Sequence, residues 1–234
     1  MTSGSSGQDV VLTGDPDEHV RRLAAESLAA GDPTGWFDRL YLAAEAGDAI
    51  VPWDRGVPQR LLVQWARAGR IDGAGRRALV VGCGLGADAE YVAHLGFSTT
   101  AFDISPAAVQ TAQGRYPDSS VDYRTADLLM PPADWQAAYD LVLESLTIQA
   151  MPIALHDAAI ERVRGLIRPG GTLLVIAAGR EPDAAADGPP WPLTRAEIDA
   201  FAAGALEPVR IEELCDPQQP DIRRWRAEFR HPAG

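Results

Sequence analysis

The sequence contains no lysine and no asparagine; all 21 of its basic residues are arginine. Without lysine there is no Schiff-base amine, no Walker-type phosphate lysine and no Tyr-Lys dehydrogenase pair. Without asparagine there is no N-glycosylation acceptor and no Asn-Pro-Pro motif for exocyclic base amines. Cysteine is scarce, and Cys83 and Cys215 are too few and too far apart to suggest a disulfide framework. No run of about 18 apolar residues occurs, since residues 141–155 are interrupted by Glu144 and Gln149. Residues 1–8 are polar and Ser/Gly-rich, without the apolar stretch of a signal peptide. Clustered cations are missing too: 33 acidic residues against 21 basic ones leave a net charge of −12, which argues against tracking a phosphate backbone. These absences predict a soluble, cytoplasmic protein with no nucleic-acid partner and no membrane association.

What is present suits one large domain. At about 100–200 residues per domain, 234 residues make one core with a small extension, and 46% apolar content is ordinary for a globular chain. Residues 1–14 are expected as a disordered tail, residues 15–70 as a helical cap and residues 75–234 as the core. In the cap, acids follow Asp15-Pro16 at a helix start, and Val20, Leu23, Ala24 and Leu28 recur at helical spacing. A second helix is predicted over 34–46 with Trp36, Leu40 and Tyr41 inward, and a third over 59–68. From residue 78 the pattern alternates. Strands are predicted at 78–81, 99–102, 121–124, 139–143 and 172–177, with helices at 88–95, 106–115 and 155–167 between them. This is an α/β chain with a mostly parallel sheet covered on both faces. After a helix over 194–203, strands at 209–214 and 224–229 make an antiparallel pair at the sheet edge, with Pro217 and Pro220 between them.

The first strand runs into Gly82-Cys83-Gly84-Leu85-Gly86. Alternate glycines let the backbone turn tightly and approach a ligand just before a helix N-terminus. The second strand ends in Asp103, 17 residues after Gly86, where a carboxylate can accept hydrogen bonds from both hydroxyls of a ribose. Gly82, Gly84 and Ala87 equally fit the dinucleotide pattern G-x-G-x-x-A, so a nicotinamide-dependent reductase stands as an alternative, as does a non-catalytic nucleoside-binding module. The third strand leads to Ala126-Asp127-Leu128, an acid placed for an adenine amino group, and the fourth to Leu143-Glu144-Ser145. Leu166-Ile167-Arg168-Pro169-Gly170-Gly171-Thr172 reads as a turn into the fifth strand.

This order of elements resembles the class I S-adenosylmethionine-dependent methyltransferases over residues 75–230. The resemblance implies a Rossmann-like, seven-stranded, mostly parallel sheet with an antiparallel C-terminal hairpin and an N-terminal helical cap. It implies S-adenosyl-L-methionine as cofactor, with Gly82, Gly84, Gly86, Asp103, Ile104, Asp127, Leu128 and Glu144 around it. Many such enzymes carry an acid two residues before the first glycine; Val80 stands there, and Asp88 is a substitute at the start of the next helix. The segment Trp36-Phe37-Asp38-Arg39-Leu40-Tyr41, with Pro52-Trp53-Asp54-Arg55-Gly56-Val57-Pro58, is similar to the thiopurine/halide/thiol methyltransferase-like branch. That branch also lacks the acid before the glycine loop. It implies that Trp36 and Trp53 lie against the cofactor, where aromatic faces stabilise a sulfonium by about 0.5–2 kcal/mol.

Methyl transfer from a sulfonium is an in-line displacement from an activated donor, so the protein mainly positions the partners and excludes water. The residues supply no general base by motif. Glu144, at the C-terminal end of the fourth strand, is the one carboxylate suggested for catalysis. His19, His94, His156 and His231 are expected as surface or helix-end residues. A small-molecule acceptor is implied, with a thiol favoured because a low-pKa thiol arrives partly as thiolate, and nitrogen or oxygen next. Residues 145–152, mostly uncharged, are expected as one wall of the acceptor pocket. Residues 179–191 have the length of a lid. No metal is expected, and the chain is read as a monomer or homodimer.

Overall fold

In the computed structural model, residues 15–216 and 219–233 are described; the tail expected over residues 1–14 and Pro217 lie outside them. The chain opens with three helices, α1 (Pro16–Ala29), α2 (Gly35–Glu45) and α3 (Arg60–Gly69). Asp15 starts α1 by accepting the Asp17 N–H at 3.0 Å, with Pro16 in the first turn, where its missing N–H costs nothing. Gln59 caps α3 in the same way through the Leu61 N–H, and Arg70 closes that helix in the left-handed region at φ 46°.

Strands and helices then alternate: β1 (Arg77–Val81), α4 (Ala87–His94), β2 (Ser98–Asp103), α5 (Pro106–Arg115), β3 (Asp122–Thr125), β4 (Tyr139–Ser145), α6 (His156–Gly165) and β5 (Ile167–Ala178). The chain finishes with α7 (Arg195–Ala200), β6 (Glu207–Asp216) and β7 (Gln219–Arg230). The described residues form one seven-stranded sheet in the order β3-β2-β1-β4-β5-β7-β6. Its first five strands pair in parallel, whereas β7 pairs antiparallel with both β5 and β6. The Rossmann-like expectation therefore holds, edge hairpin included.

Side-chain alternation along the strands makes two cores, one on each face. Leu79, Val81, Val142, Leu173 and Val175 pack with Ile160 and Val163 of α6 and Ile198 of α7. Val80, Leu141, Leu143, Leu174 and Ile176 pack with Leu62 and Trp65 of α3 and Val92 of α4. A third cluster joins the cap to the sheet domain: Val20, Ala24, Trp36, Leu40 and Tyr41 meet Ala107 and Ala108 at the start of α5. Polar ties reinforce the junction. The Ser105 hydroxyl and the Ala107 N–H both donate to Asp38 of α2, and the Trp65 indole donates to Glu228 of β7 at 2.8 Å.

Two expectations need correcting. Residues 168–171 of the supposed turn belong to β5, which begins at Ile167 beside Tyr139 and resumes at Thr172 beside Leu141, with a register shift between them. The irregularity absorbs Pro169 and the left-handed Gly170 (φ 77°) at the strand's exposed end. For the same reason α6 ends at Gly165: Ile167 is already pairing as strand.

Candidate active site

A cavity of about 650 Å³ opens over the C-terminal ends of the parallel strands, with cap residues forming its outer wall. That volume lies within the range of about 300–1,000 Å³ found for small-molecule sites. It is lined by the glycine loop, Asp103, Ile104, Asp127 and Leu128, and by residues 145–147 and 149–151, Gly179, Pro189, Pro190 and residues 222–224.

All three loop glycines have positive φ: 57° at Gly82, 51° at Gly84 and 93° at Gly86. A Cβ on Gly82 would lie 2.4 Å from the Thr147 hydroxyl, and one on Gly86 would lie 2.5 Å from the Tyr123 hydroxyl. Gly84 differs, since a Cβ there would meet only the Tyr41 hydroxyl, at 3.1 Å, and would otherwise fill the cavity. Asp103 braces this loop, one carboxylate oxygen accepting the Gly84 N–H at 2.9 Å and the other the Ser105 N–H at 3.0 Å. Burial pushes the Asp103 carboxyl up, and these N–H groups oppose the shift. Asp127 lines the cavity while its carboxylate accepts the Leu129 N–H at 2.8 Å. Asp88 lines it too. Burial raises its carboxyl, against hydrogen bonds from the Gln59 N–H (2.6 Å) and from Ser145.

Trp36 and Trp53 both border this cavity, Trp53 partly exposed and Trp36 fully buried behind it. Their rings meet edge-on at 6.0 Å, and Trp53 meets Tyr41 edge-on at 6.2 Å. The Trp53 indole donates to the Tyr41 hydroxyl at 3.0 Å. The Tyr41 hydroxyl is thus occupied as an acceptor, and among the described residues its own proton has no partner. Sequence reasoning takes Tyr41 only as an inward residue of α2. The available signal is its polar tip on an otherwise apolar helix face.

Glu144 departs from expectation. It is fully buried and does not line the cavity. Strand alternation turns it toward the α6 face with Val81 and Val175, while its neighbour Ser145 faces the cavity. One Glu144 oxygen accepts the N–H groups of Thr147 and Ile148, at 2.8 and 2.9 Å, and the other has no partner among the described residues. Burial lifts its carboxyl to about 7. Between Glu144 and these donors lies Leu146, a non-glycine residue at φ 64°, a conformation that costs about 1–2 kcal/mol. Glu144 thus shapes the cavity wall from behind and cannot touch a bound acceptor.

His156 is a helix-end residue, as expected, but not a surface one. It is the first residue of α6 but is buried, its ring held between Glu197 (2.6 Å) and the Met151 carbonyl (2.9 Å). Burial pushes the Glu197 carboxyl up, but hydrogen bonds from His156 and Thr194 outweigh it and bring the group down to about 2. His19, His94 and His231 stay away from the cavity lining.

Gln149, expected only as part of the wall, joins both ends of the loop over residues 179–193. Its side-chain oxygen accepts the Ala178 N–H at 2.5 Å, and its carbonyl accepts the Trp191 N–H at 2.6 Å. The Leu193 N–H returns to the Ala178 carbonyl, and the Trp225 indole donates to the Leu193 carbonyl. The neck of the expected lid is therefore hydrogen-bonded to the sheet. Among the described residues no cluster of histidine, cysteine and carboxylate side chains is set to hold a metal, and no helix is long and apolar enough to cross a membrane.

Comparison with known proteins agrees with this geometry. Residues 79–175 match the family described as "Methyltransferase domain". A ubiquinone biosynthesis O-methyltransferase of Xanthomonas campestris pv. campestris is 34% identical over 140 residues, covering 56% of this chain and 58% of that protein. The chain thus spans little more than half the length of that relative. A 2-heptyl-1-hydroxyquinolin-4(1H)-one methyltransferase of Mycobacteroides abscessus is 26% identical over 198 residues, covering 80% of this chain and 85% of that one. Among solved structures, the N-methyltransferase NodS of Bradyrhizobium japonicum, in complex with S-adenosyl-L-homocysteine, superimposes with a TM-score of 0.62 at 20% identity, covering 94% of this chain and 100% of that one. The match over residues 79–175 runs from within β1 to within β5, and the seven-stranded Rossmann-like sheet is the fold shared with that solved methyltransferase.

Proposed function

We propose that this protein is an S-adenosylmethionine-dependent methyltransferase acting on an oxygen or nitrogen of a small, largely apolar acceptor. The observation that carries this reading is the convergence on one cavity of a glycine loop open at Gly84, the buried Asp103 carboxylate and the Trp36–Trp53 wall. The residues fit the cofactor. The space a Gly84 side chain would occupy is cavity, and Asp103 keeps lone pairs beyond its two backbone bonds. When bound, the cofactor supplies a methyl group already activated on a sulfonium.

The chain's own residues then have separable tasks. Asp103 takes the ribose hydroxyls, Asp127 the adenine amino group, and Ile104 and Leu128 the adenine faces. Asp88 and the glycine loop face the methionine part. Trp53 presents its ring to the cation, with the fully buried Trp36 packed edge-on against it, and the pair keeps water out. Glu144, placed behind the wall, orients residues 147 and 148 in place of the catalytic role suggested by its strand-end position.

Oxygen or nitrogen is favoured over the thiol that the sequence resemblance implies. The relatives named above carry O-methylation or a hydroxyquinolone acceptor in their names, and none is a thiopurine, halide or thiol methyltransferase. We retain from that branch only the paired tryptophans. The acceptor end suits a small heteroaromatic, with Leu146, Ala150, Met151 and Pro190 around it.

A thermal-shift assay with S-adenosylhomocysteine and NADPH tests the reading. Ligand at about 100 times its dissociation constant stabilises by about 2.7 kcal/mol. A shift with the adenosyl ligand and none with NADPH is expected; the reverse pattern defeats the proposal. A panel of phenols, hydroxyquinolones, amines and thiols, followed by mass spectrometry for a gain of one methyl group, then identifies the acceptor atom.

A further inference from the structure

Gln149 is 7% exposed and lines the cavity beside Ala150 and Met151. Its side-chain orientation is determined, because the Ala178 N–H requires an acceptor and only the carboxamide oxygen can accept. The NH2 group therefore points away from Ala178. It donates to no described group. Buried, partnerless side-chain nitrogens and oxygens among the described residues are confined to His19, Trp36, Tyr139, Glu144 and Arg164. The Gln149 amide nitrogen is not among them, and the residue it belongs to lines the cavity. The amide thus carries two N–H donors that no described group takes up, on a residue lining a mostly apolar cavity.

From this geometry we infer that Gln149 is a specificity-determining residue, whose amide donates to a carbonyl or anionic oxygen carried by the methyl acceptor. The inference deepens the proposed function and rests on it. The occupant it selects is a planar heteroaromatic with an exocyclic oxygen, rather than a plain hydrocarbon ring or an amine. A site built to donate discriminates strongly against an analogue lacking the acceptor atom, because the donors are then left unpaired in a dry pocket. The frame that holds the amide is rigid: Ala178 fixes its oxygen, Trp191 fixes its backbone, and Glu144 fixes the two residues before it.

The test titrates protein saturated with S-adenosylhomocysteine with two probes, quinolin-4(1H)-one and indole. Both are bicyclic N–H heteroaromatics, and only the first carries an acceptor oxygen. Wild type is expected to bind quinolin-4(1H)-one at least about tenfold more tightly than indole. Gln149→Glu, assayed at about pH 9 so that the carboxyl is ionised, keeps an oxygen for Ala178 but removes both donors, and should bring the ratio to within about twofold. In wild-type protein the Gln149 side-chain amide signal should shift with quinolin-4(1H)-one and not with indole. The chain has nine glutamines and no asparagine, so only nine such amide pairs exist. Should Gln149→Glu fail to fold, this spectrum decides alone. No preference in wild type, including no binding of either probe, overturns the inference. So does a preference that survives Gln149→Glu, or an amide signal that does not move. Failure of wild type to bind S-adenosylhomocysteine is a separate outcome that defeats the proposed function, and the probe comparison is then made on the free protein.

Discussion

Replacing Glu144 with glutamine offers a quantitative test of how the cavity wall is built. The carboxylate is fully buried, with both backbone donors on one oxygen and nothing described on the other. Burial raises its carboxyl from the ordinary 4.5 to about 7, against the smaller pull of the two N–H groups and His156. The sign follows from linkage. A raised pKa means the native protein holds a proton that the unfolded chain has already released. The stabilisation is therefore fully present below about pH 4.5 and lost as pH rises through about 7. Between pH 5 and pH 8 the loss amounts to about 2.5 kcal/mol, or a fall of about 5–10 °C in Tm for a chain of this size. The substituted amide would still accept from Thr147 and Ile148 but would not titrate. Urea denaturation of wild type and Glu144→Gln at pH 5, 6, 7 and 8 isolates the group, because other titrations cancel in the difference. The stability gap between them should change by about 2.5 kcal/mol across that window, moving in favour of the variant as pH rises. Curves that run parallel to within about 0.5 kcal/mol would refute the buried-carboxylate account.

Three further outcomes follow from the loop and the cap. Asp103→Ala strips the acceptor from the Gly84 and Ser105 N–H groups, at about 1–3 kcal/mol each; calorimetry should also show S-adenosylhomocysteine affinity reduced at least about tenfold, and unchanged affinity would reduce Asp103 to a loop brace. Tyr41→Phe removes a hydroxyl that accepts from Trp53 and faces Gly84; it should weaken S-adenosylhomocysteine about five- to tenfold, in keeping with one hydrogen bond, and an equal loss with 5′-methylthioadenosine would locate the contact at the nucleoside. Gly82→Ala places a methyl 2.4 Å from the Thr147 hydroxyl in a left-handed conformation, so denaturation should show about 2–4 kcal/mol lost from strain and overpacking together.

Much of the fold was legible because the chain repeats one unit. Short β-branched and leucine-rich runs between helical segments can bury both their faces only in a parallel sheet with helices on either side. The observed β1, α4, β2 and α5 lie within a residue or two of their expected positions, since Pro106 and the glycine loop mark the starts of helices. The 168–171 segment misled because Arg-Pro-Gly-Gly has the composition of a turn, while the neighbouring β4 draws it into the sheet. The nucleoside end of the cavity was legible for a related reason: glycines and an acid at the ends of adjacent strands converge wherever those strands are parallel neighbours.

What the sequence determined by itself was the parallel architecture, the glycine turn with its acid, and the exclusion of lysine chemistry. These depend on residue type and local order alone. Only the tertiary structure decided which polar groups reach the cavity. Glu144 and Ser145 are neighbours, yet a two-residue strand period sends them to opposite faces. His156 begins a helix, yet it is enclosed by Glu197 from 41 residues away. Gln149 is an incidental polar residue in an apolar stretch by sequence, yet Ala178, 29 residues on, takes its side-chain oxygen at the cavity wall. The outcomes at His156 and Gln149 depend on partners distant in sequence, and which atom of each side chain is engaged is set by that partner, not by the residue's immediate neighbours.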